Sequence, residues 1–332
     1  MDKINFGIIG TNNITRWFLE AGKKVKGFNL SCVYSRSEEK AKMFAKEYGA
    51  EYIFTNLEEM AKSKNLDAVY IASPNSLHKE QAVLFLRNGK HVLCEKAFAS
   101  NGLEVNEMIK AAKENNVVLM EAMKTILLPN FKEILNNIYK IGKVRRYFAS
   151  YCQYSSRYDK YKEGEILNAF RNEFSNGSLM DIGVYTIAPM VALFGKPKEI
   201  KASGYMLETK VDGEGSILFK YDEMEASVMY SKISNSYIPS EIQGEEGSII
   251  INKINDMKEV YIIYKDGRKE IISKNQDSDD MCYEIEEFIN LIKNNKLESD
   301  INSLDFSKTV IEIMDEGRRQ IGISYPADKI NI

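Results

Sequence analysis

His91-Val92-Leu93-Cys94-Glu95-Lys96 reads as a short apolar strand that stops abruptly on a carboxylate and an amine. A near-continuous apolar run of this length marks a strand buried on both faces of a parallel sheet, and in open α/β sheets ligands bind beyond the carboxyl ends of the strands. Lys96 is therefore expected at the mouth of a cleft. The plain alternative is a salt bridge capping a strand, which is what most Glu-Lys pairs are. The chain on either side decides between the two.

Upstream, residues 4–10 form an expected strand running into a turn, followed by a helix with apolar Ile14, Trp17, Phe18, Ala21 and Val25 and a second strand at 30–34. That order is the context in which a glycine fingerprint reads as dinucleotide binding. Only its first glycine, Gly10, is present; Asn12 and Thr15 stand at the second and third positions. Gly10 makes the tight turn, Asn12 tolerates left-handed backbone, and Thr15 implies looser helix–strand packing. The turn Gly10, Thr11, Asn12, Asn13 and Ile14 is the expected pyrophosphate site. After the second strand comes Tyr34-Ser35-Arg36-Ser37, with no carboxylate until Glu38. A carboxylate there would select NAD, whereas Arg36 and Ser35 can hold a 2′-phosphate, so NADP is preferred over NAD. Ser37 also reads as the N-cap of a helix 38–48 closed by Gly49.

Strands and helices keep alternating: helix 57–62, strand 68–72, a helix ending at Gly89, the Lys96 strand, helix 103–115 and strand 117–121. This alternation predicts a doubly wound parallel sheet of the Rossmann type. With 332 residues there is room for a second domain, and the expected division is 1–125 and 126–332. The net charge of −3 gives no footprint for nucleic acid or an anionic membrane. No apolar run is expected to span a bilayer, and Met1-Asp2-Lys3 leads straight into a strand without a signal peptide, so a cytoplasmic protein is expected. Cys32, Cys94, Cys152 and Cys282 are widely spaced and read as reduced thiols; with His78 and His91 the only histidines, no metal site is expected.

The strand-turn Gly7-Ile8-Ile9-Gly10-Thr11, the loop Ser73-Pro74-Asn75-x-x-His78, the pair Glu95-Lys96 and Glu121-Ala122 together resemble the Gfo/Idh/MocA oxidoreductases. A later block, Asn176-Gly177-Ser178-Leu179-Met180-Asp181-Ile182-Gly183-Val184-Tyr185, resembles that family's second-domain motif. Tyr185, where many members carry His, is similar to the branch with glucose–fructose oxidoreductase and dimeric dihydrodiol dehydrogenase. The resemblance implies a cofactor site that includes Ser73, Pro74, Asn75, His78, Glu95, Lys96 and Glu121. It also implies a homodimer formed through the second-domain sheet. Two departures stand out: Ala97 follows Lys96 where the family has proline, and Asn12 replaces a glycine.

The second half predicts a helix at 131–139, a strand at 144–154 and a long polar and aromatic loop at 155–176. Loops of that length are usually functional, which makes Arg157 and Phe170 candidate substrate contacts. A helix follows at 179–194, closed by Gly195, with Asp181 and Tyr185 four apart on one face. Strands at 215–221, 225–231, 241–244, 247–251 and 259–264 predict a mostly antiparallel open sheet, so this part is an α+β domain. Helices at 281–294 and 303–321 close the chain.

Reduction of a carbonyl needs a hydride and a proton for the developing alkoxide. A tyrosine hydroxyl titrates near about 10, and a neighbouring ammonium favours its phenolate. Tyr185 with Lys96 and Asp181 therefore makes a catalytic set for a sugar, cyclitol or related diol. A structural reading, with Tyr185 as half-buried core and Asp181 as a helix-start charge, competes with it. So does a non-catalytic cofactor-binding sensor, and a transient oxidation that assists glycosidic cleavage stays open. In Glu121-Ala122-Met123-Lys124-Thr125, Lys124 stands where the resemblance places a tryptophan of the dihydrodiol dehydrogenases. It would contact a polyhydroxylated or anionic substrate, or else lie at the surface.

Overall fold

The computed structural model describes residues 3–329; Met1 and Asp2, and residues 330–332 at the far end of the second expected domain, lie outside the described residues. The first half alternates β1 (Ile4–Ile9), α1 (Asn13–Lys24), β2 (Phe28–Tyr34), α2 (Glu38–Tyr48), β3 (Tyr52–Phe54), α3 (Leu57–Ala61), β4 (Ala68–Ile71), α4 (His78–Arg87), β5 (His91–Glu95), α5 (Gly102–Asn115) and β6 (Leu119–Ala122). All neighbouring strands are parallel, in the order β3-β2-β1-β4-β5-β6. The order reverses between β1 and β4, which is where such sheets bind ligands.

Local chemistry sets the boundaries. Asn12, Ser37 and Asn101 each turn a side-chain oxygen to a first-turn amide of α1, α2 and α5. Gly49 closes α2 at φ 78°. Trp17 departs from the expected apolar face of α1: it is 63% exposed, whereas the expected Phe18 and Ala21 are buried and Leu19 with them. Strand β3 has only three half-buried residues and was not legible as a strand.

The second half comprises α6 (Pro129–Asn137), β7 (Val144–Cys152), α7 (Ser156–Lys162), a π-helical turn Leu179–Gly183 leading into α8 (Val184–Phe194), β8 (Glu199–Met206), β9 (Asp212–Lys220), β10 (Glu225–Ser231), β11 (Ser240–Gly244), β12 (Gly247–Ile251), β13 (Val260–Tyr264) and β14 (Lys269–Ile271). The sheet runs β14-β13-β12-β11-β7-β10-β9-β8; β7 and β10 are parallel and the other neighbours antiparallel. The segment expected as a long loop contains α7 and short 3-10 turns. The helical stretch Asn172–Phe194 is long and apolar enough to cross a membrane, against expectation, but 72% of its apolar window is buried inside the protein, as a core helix is.

α9 (Cys282–Lys293) and α10 (Leu304–Ile321) complete the chain. Two compact units result. One holds the residues up to Lys124 together with Asp277–Lys308, and the other holds Thr125–Gln276 with the chain from Thr309 onward. The segment carrying α9 thus returns to the first unit, which a single boundary near residue 125 does not anticipate.

Candidate active site

In the first unit the turn after β1 is built around Gly10. Its φ is +107°, and a Cβ there would stand 2.6 Å from the Ala72 carbonyl oxygen at the end of β4, so only glycine fits. Asn12 does not use the left-handed backbone expected of it; its φ is −105°. Its side-chain amide donates to the Ala72 carbonyl (3.0 Å) and its oxygen accepts from the Thr15 amide (3.2 Å). Thr15 is fully buried and its hydroxyl donates to the Gly10 carbonyl (3.0 Å), so the turn closes tightly without a third glycine. Thr11 and Ile14 are half-buried and Asn12 and Asn13 exposed. The Asn13 and Ile14 amides belong to a first helical turn, which has no carbonyl one turn back to receive them, and no acidic residue sits there. At the end of β2, Arg36 is exposed and Ser35 half-buried, its hydroxyl oxygen accepting from the Ser37 amide (3.2 Å). A glycine cradle, open helix-start amides and a guanidinium in place of a carboxylate fit an anionic dinucleotide bearing a 2′-phosphate.

The expected contacts around Lys96 divide. Lys96 is half-buried at the carboxyl end of β5, and its peptide bond to Ala97 is cis. Ser73 and Pro74 are half-buried, the Ser73 hydroxyl bonding Gln81 (2.7 Å), and Asn75 is buried. His78 is fully buried with its ring nitrogens facing the Ala97 carbonyl (3.0 Å) and the Ser73 carbonyl (2.9 Å). It therefore staples two loops together and presents no nitrogen to a ligand. Two carbonyl acceptors favour a protonated ring, but burial outweighs them and pushes the His78 pKa down.

Glu95 and Glu121 are also interior, 7% and 1% exposed. Glu95 accepts from the Tyr70 hydroxyl (2.5 Å) and the Lys96 amide (3.3 Å). Burial pushes its carboxyl up, opposed by the Lys96 ammonium. Burial carries Glu121 up to about 7; Ser307 and the Phe98 amide lie close enough to favour the charged form, though neither makes a full hydrogen bond. Glu284 on α9, unforeseen from sequence, is a third buried acid in this cluster, and burial pushes its carboxyl well up.

Lys124 is not a loose surface residue. Its ammonium is held by both oxygens of Asp280 at 2.6 and 2.7 Å, and it offsets the charge of Glu95 and Glu284.

In the second unit, Asp181 and Tyr185 are both half-buried, one turn apart. Asp181 lies in the π-helical turn and Tyr185 opens α8, so the uniform helix read from sequence is replaced by a widened first turn. Asp212 fixes that turn by accepting from the Leu179 amide (2.6 Å). Gly183 brings the helix onto the sheet, since a Cβ would meet Tyr230 Cγ at 3.0 Å. Tyr185 packs edge-on against Tyr151 of β7, ring centres 5.7 Å apart. Asp181 is ion-paired to Lys232, a residue that nothing in its sequence surroundings singled out. Phe170 is fully buried against Tyr158 and Tyr161, which leaves it no surface for a substrate, while Arg157 is exposed on α7.

Comparison with known proteins matches this description. A model described as an oxidoreductase family with an NAD-binding Rossmann fold covers residues 4–123, and one for the GFO/IDH/MocA C-terminal domain covers residues 136–250. A scyllo-inositol 2-dehydrogenase (NADP(+)) of Bacillus subtilis (strain 168) is 59% identical over 98% of this chain and 99% of its own. A trans-1,2-dihydrobenzene-1,2-diol dehydrogenase of Xenopus tropicalis is 29% identical over 97% of this chain and 99% of its own. A 3-ketoreductase of Actinomadura kijaniata, solved with NADP, superposes with a TM-score of 0.83 at 21% identity, covering 96% of this chain and 98% of that one. At that identity the likeness concerns the fold alone.

Proposed function

Because this chain belongs to the Gfo/Idh/MocA family of oxidoreductases, we propose that it is an NADP-dependent dehydrogenase of a cyclitol, with scyllo-inositol the first candidate. The observation that carries this reading is the 59% identity, end to end, to a dehydrogenase of that substrate and cofactor. The Arg36 end of β2 supports the cofactor preference, because a guanidinium pairs with a 2′-phosphate that NAD lacks. When bound, the nicotinamide accepts or supplies the hydride.

The protein moves the proton. In the oxidative direction the substrate hydroxyl gives its proton to Tyr185 as the carbinol C–H bond breaks; in reduction Tyr185 returns it to the alkoxide oxygen. Lys96 assists, since an ammonium favours a phenolate. Asp181 orients the reacting hydroxyl. A sensor would have no use for a proton donor, and the named relatives are dehydrogenases. We also propose a homodimer through the second sheet, whose strands leave Tyr205, Leu218, Ile263 and Ile271 exposed; sedimentation would show one species of twice the chain mass.

The test is NADPH formation from scyllo-inositol and its stereoisomers by wild type, Tyr185→Phe and Lys96→Met. Both variants should bind NADP and lose turnover by about 10²-fold or more, the usual scale for removing a general acid–base group. Near-normal turnover of Tyr185→Phe would remove that residue from the mechanism.

A further inference from the structure

Lys232 follows the last residue of β10, and its backbone is held on both sides. Its amide donates to the Gly213 carbonyl and its carbonyl accepts from the Ser155 amide, both at 2.9 Å, while the Gln153 amide bonds the Ser231 carbonyl at 2.8 Å. This pins it where the parallel strands β7 and β10 end. Its side chain is only 8% exposed. A lysine so deeply placed needs a compensating charge, and that charge is the Asp181 carboxylate, itself 26% exposed.

The pair is therefore asymmetric. The ammonium lies within the protein and the carboxylate lies outward of it. Lys232 has almost no surface with which to meet a substrate, so whatever it contributes passes through Asp181. The backbone of Asp181 is separately fixed: its amide donates to Gly177 (3.1 Å), and Asp212 ties down the turn two residues earlier. With the backbone anchored, the ion pair at Oδ2 constrains the rotation of the carboxylate. One turn on, Tyr185 is braced from the same two strands' neighbourhood by Tyr151, which sits opposite Tyr230 in the β7–β10 register.

We infer that Lys232 is a positioning residue for the reaction: it holds the Asp181 carboxylate in the one rotation that meets the substrate hydroxyl. The inference rests on the reading of Asp181 and Tyr185 as the groups that work on the substrate. A π-helical turn, common at functional sites, supplies the altered backbone, and Lys232 supplies its charge partner.

The experiment is a double-mutant cycle on the full-length protein, with Lys232→Met, Asp181→Asn and the pair, each measured for kcat, KM, NADP affinity and denaturation midpoint. Displacing an oriented group costs about 10²-fold in rate, so Lys232→Met should lose kcat on that scale and retain NADP affinity. In the Asp181→Asn background it should cost little more, because its target is already gone. Losses that multiply, or a normal kcat for Lys232→Met beside an impaired Asp181→Asn, would overturn the positioning role. A normal kcat for Asp181→Asn would instead overturn the reading of Asp181 itself. If Lys232→Met does not fold, Lys232→Leu, which likewise cannot donate to the carboxylate, enters the same cycle and is read in the same way.

Discussion

Glu121 shows how a residue's position can be legible while its surroundings are not. It closes the motif at the end of β6, and from sequence it reads as a cofactor contact; the fold buries it to 1% exposure. The burying side is partly the segment 277–308, whose Asn302 amide bonds the Glu121 carbonyl (2.7 Å), and no local pattern joins residues so far apart. The folded pKa of about 7 lies above the unfolded carboxylate range. Between the two values the folded state keeps a proton that the unfolded state releases, so this group's contribution to stability falls as pH rises through that window and is flat above it. Glu121→Gln removes the effect. Urea denaturation at pH 5 and pH 8 should show the variant gaining on wild type at the higher pH by up to about 3 kcal/mol. A difference constant with pH would mean that Glu121 is charged throughout. Arg36, in contrast, is exposed. Arg36→Ala should weaken NADP binding on the order of 10-fold or more and leave NAD nearly unchanged, since charged hydrogen bonds contribute about 1.5–3 kcal/mol. Equal losses in titrations with both cofactors would make Arg36 structural.

At the scale of elements, the sequence is legible where one face is buried and illegible where none is. The wholly buried β4 and the buried residues 92–94 of β5 are apolar runs, and β10 and β12 have the boundaries expected of them. β8 exposes most of its residues and alternates weakly, and β14 has three residues, none fully buried, so neither carries a period-two signal. The π-helical turn was hidden for another reason: Asp212, 33 residues downstream of Leu179, ties down its start. Gly183 was legible as an oddity, and its reason is now Tyr230 and Leu179, which a Cβ would approach to 3.0 and 2.9 Å. Gly183→Ala should push this turn off the sheet at a cost of about 1–3 kcal/mol, the range for overpacking a core. It should also lower kcat, because Asp181 and Tyr185 flank it. An unchanged denaturation midpoint with full activity would show that the sheet yields at that point.

For the whole molecule, the decisive feature is the return of the chain to its first unit. α9 brings Phe288, fully buried, to within 5.9 Å of the Phe6 ring, in the cluster that also holds Phe18 and Phe28. Lys24 at the end of α1 reaches Asp277 and Asp279 at 2.5 and 2.6 Å, and Glu284 is buried on the same helix. Residues 3–124 alone would lose the cover over Phe6, and a buried phenylalanine contributes about 1.5–3 kcal/mol. That loss is a large share of a domain's net stability of about 5–15 kcal/mol. The two pieces can be rejoined, because Lys124 and Asp280 touch and a short Gly/Ser linker can bridge the ends. We predict that residues 3–124 expressed alone aggregate or unfold without cooperativity, whereas 3–124 linked to 277–308 unfolds in one cooperative step and binds NADP. Circular dichroism melts and NADP titration of the two proteins decide it. Cooperative unfolding of 3–124 alone, with NADP bound equally well, would reduce α9 to a covering that the nucleotide-binding unit does not need.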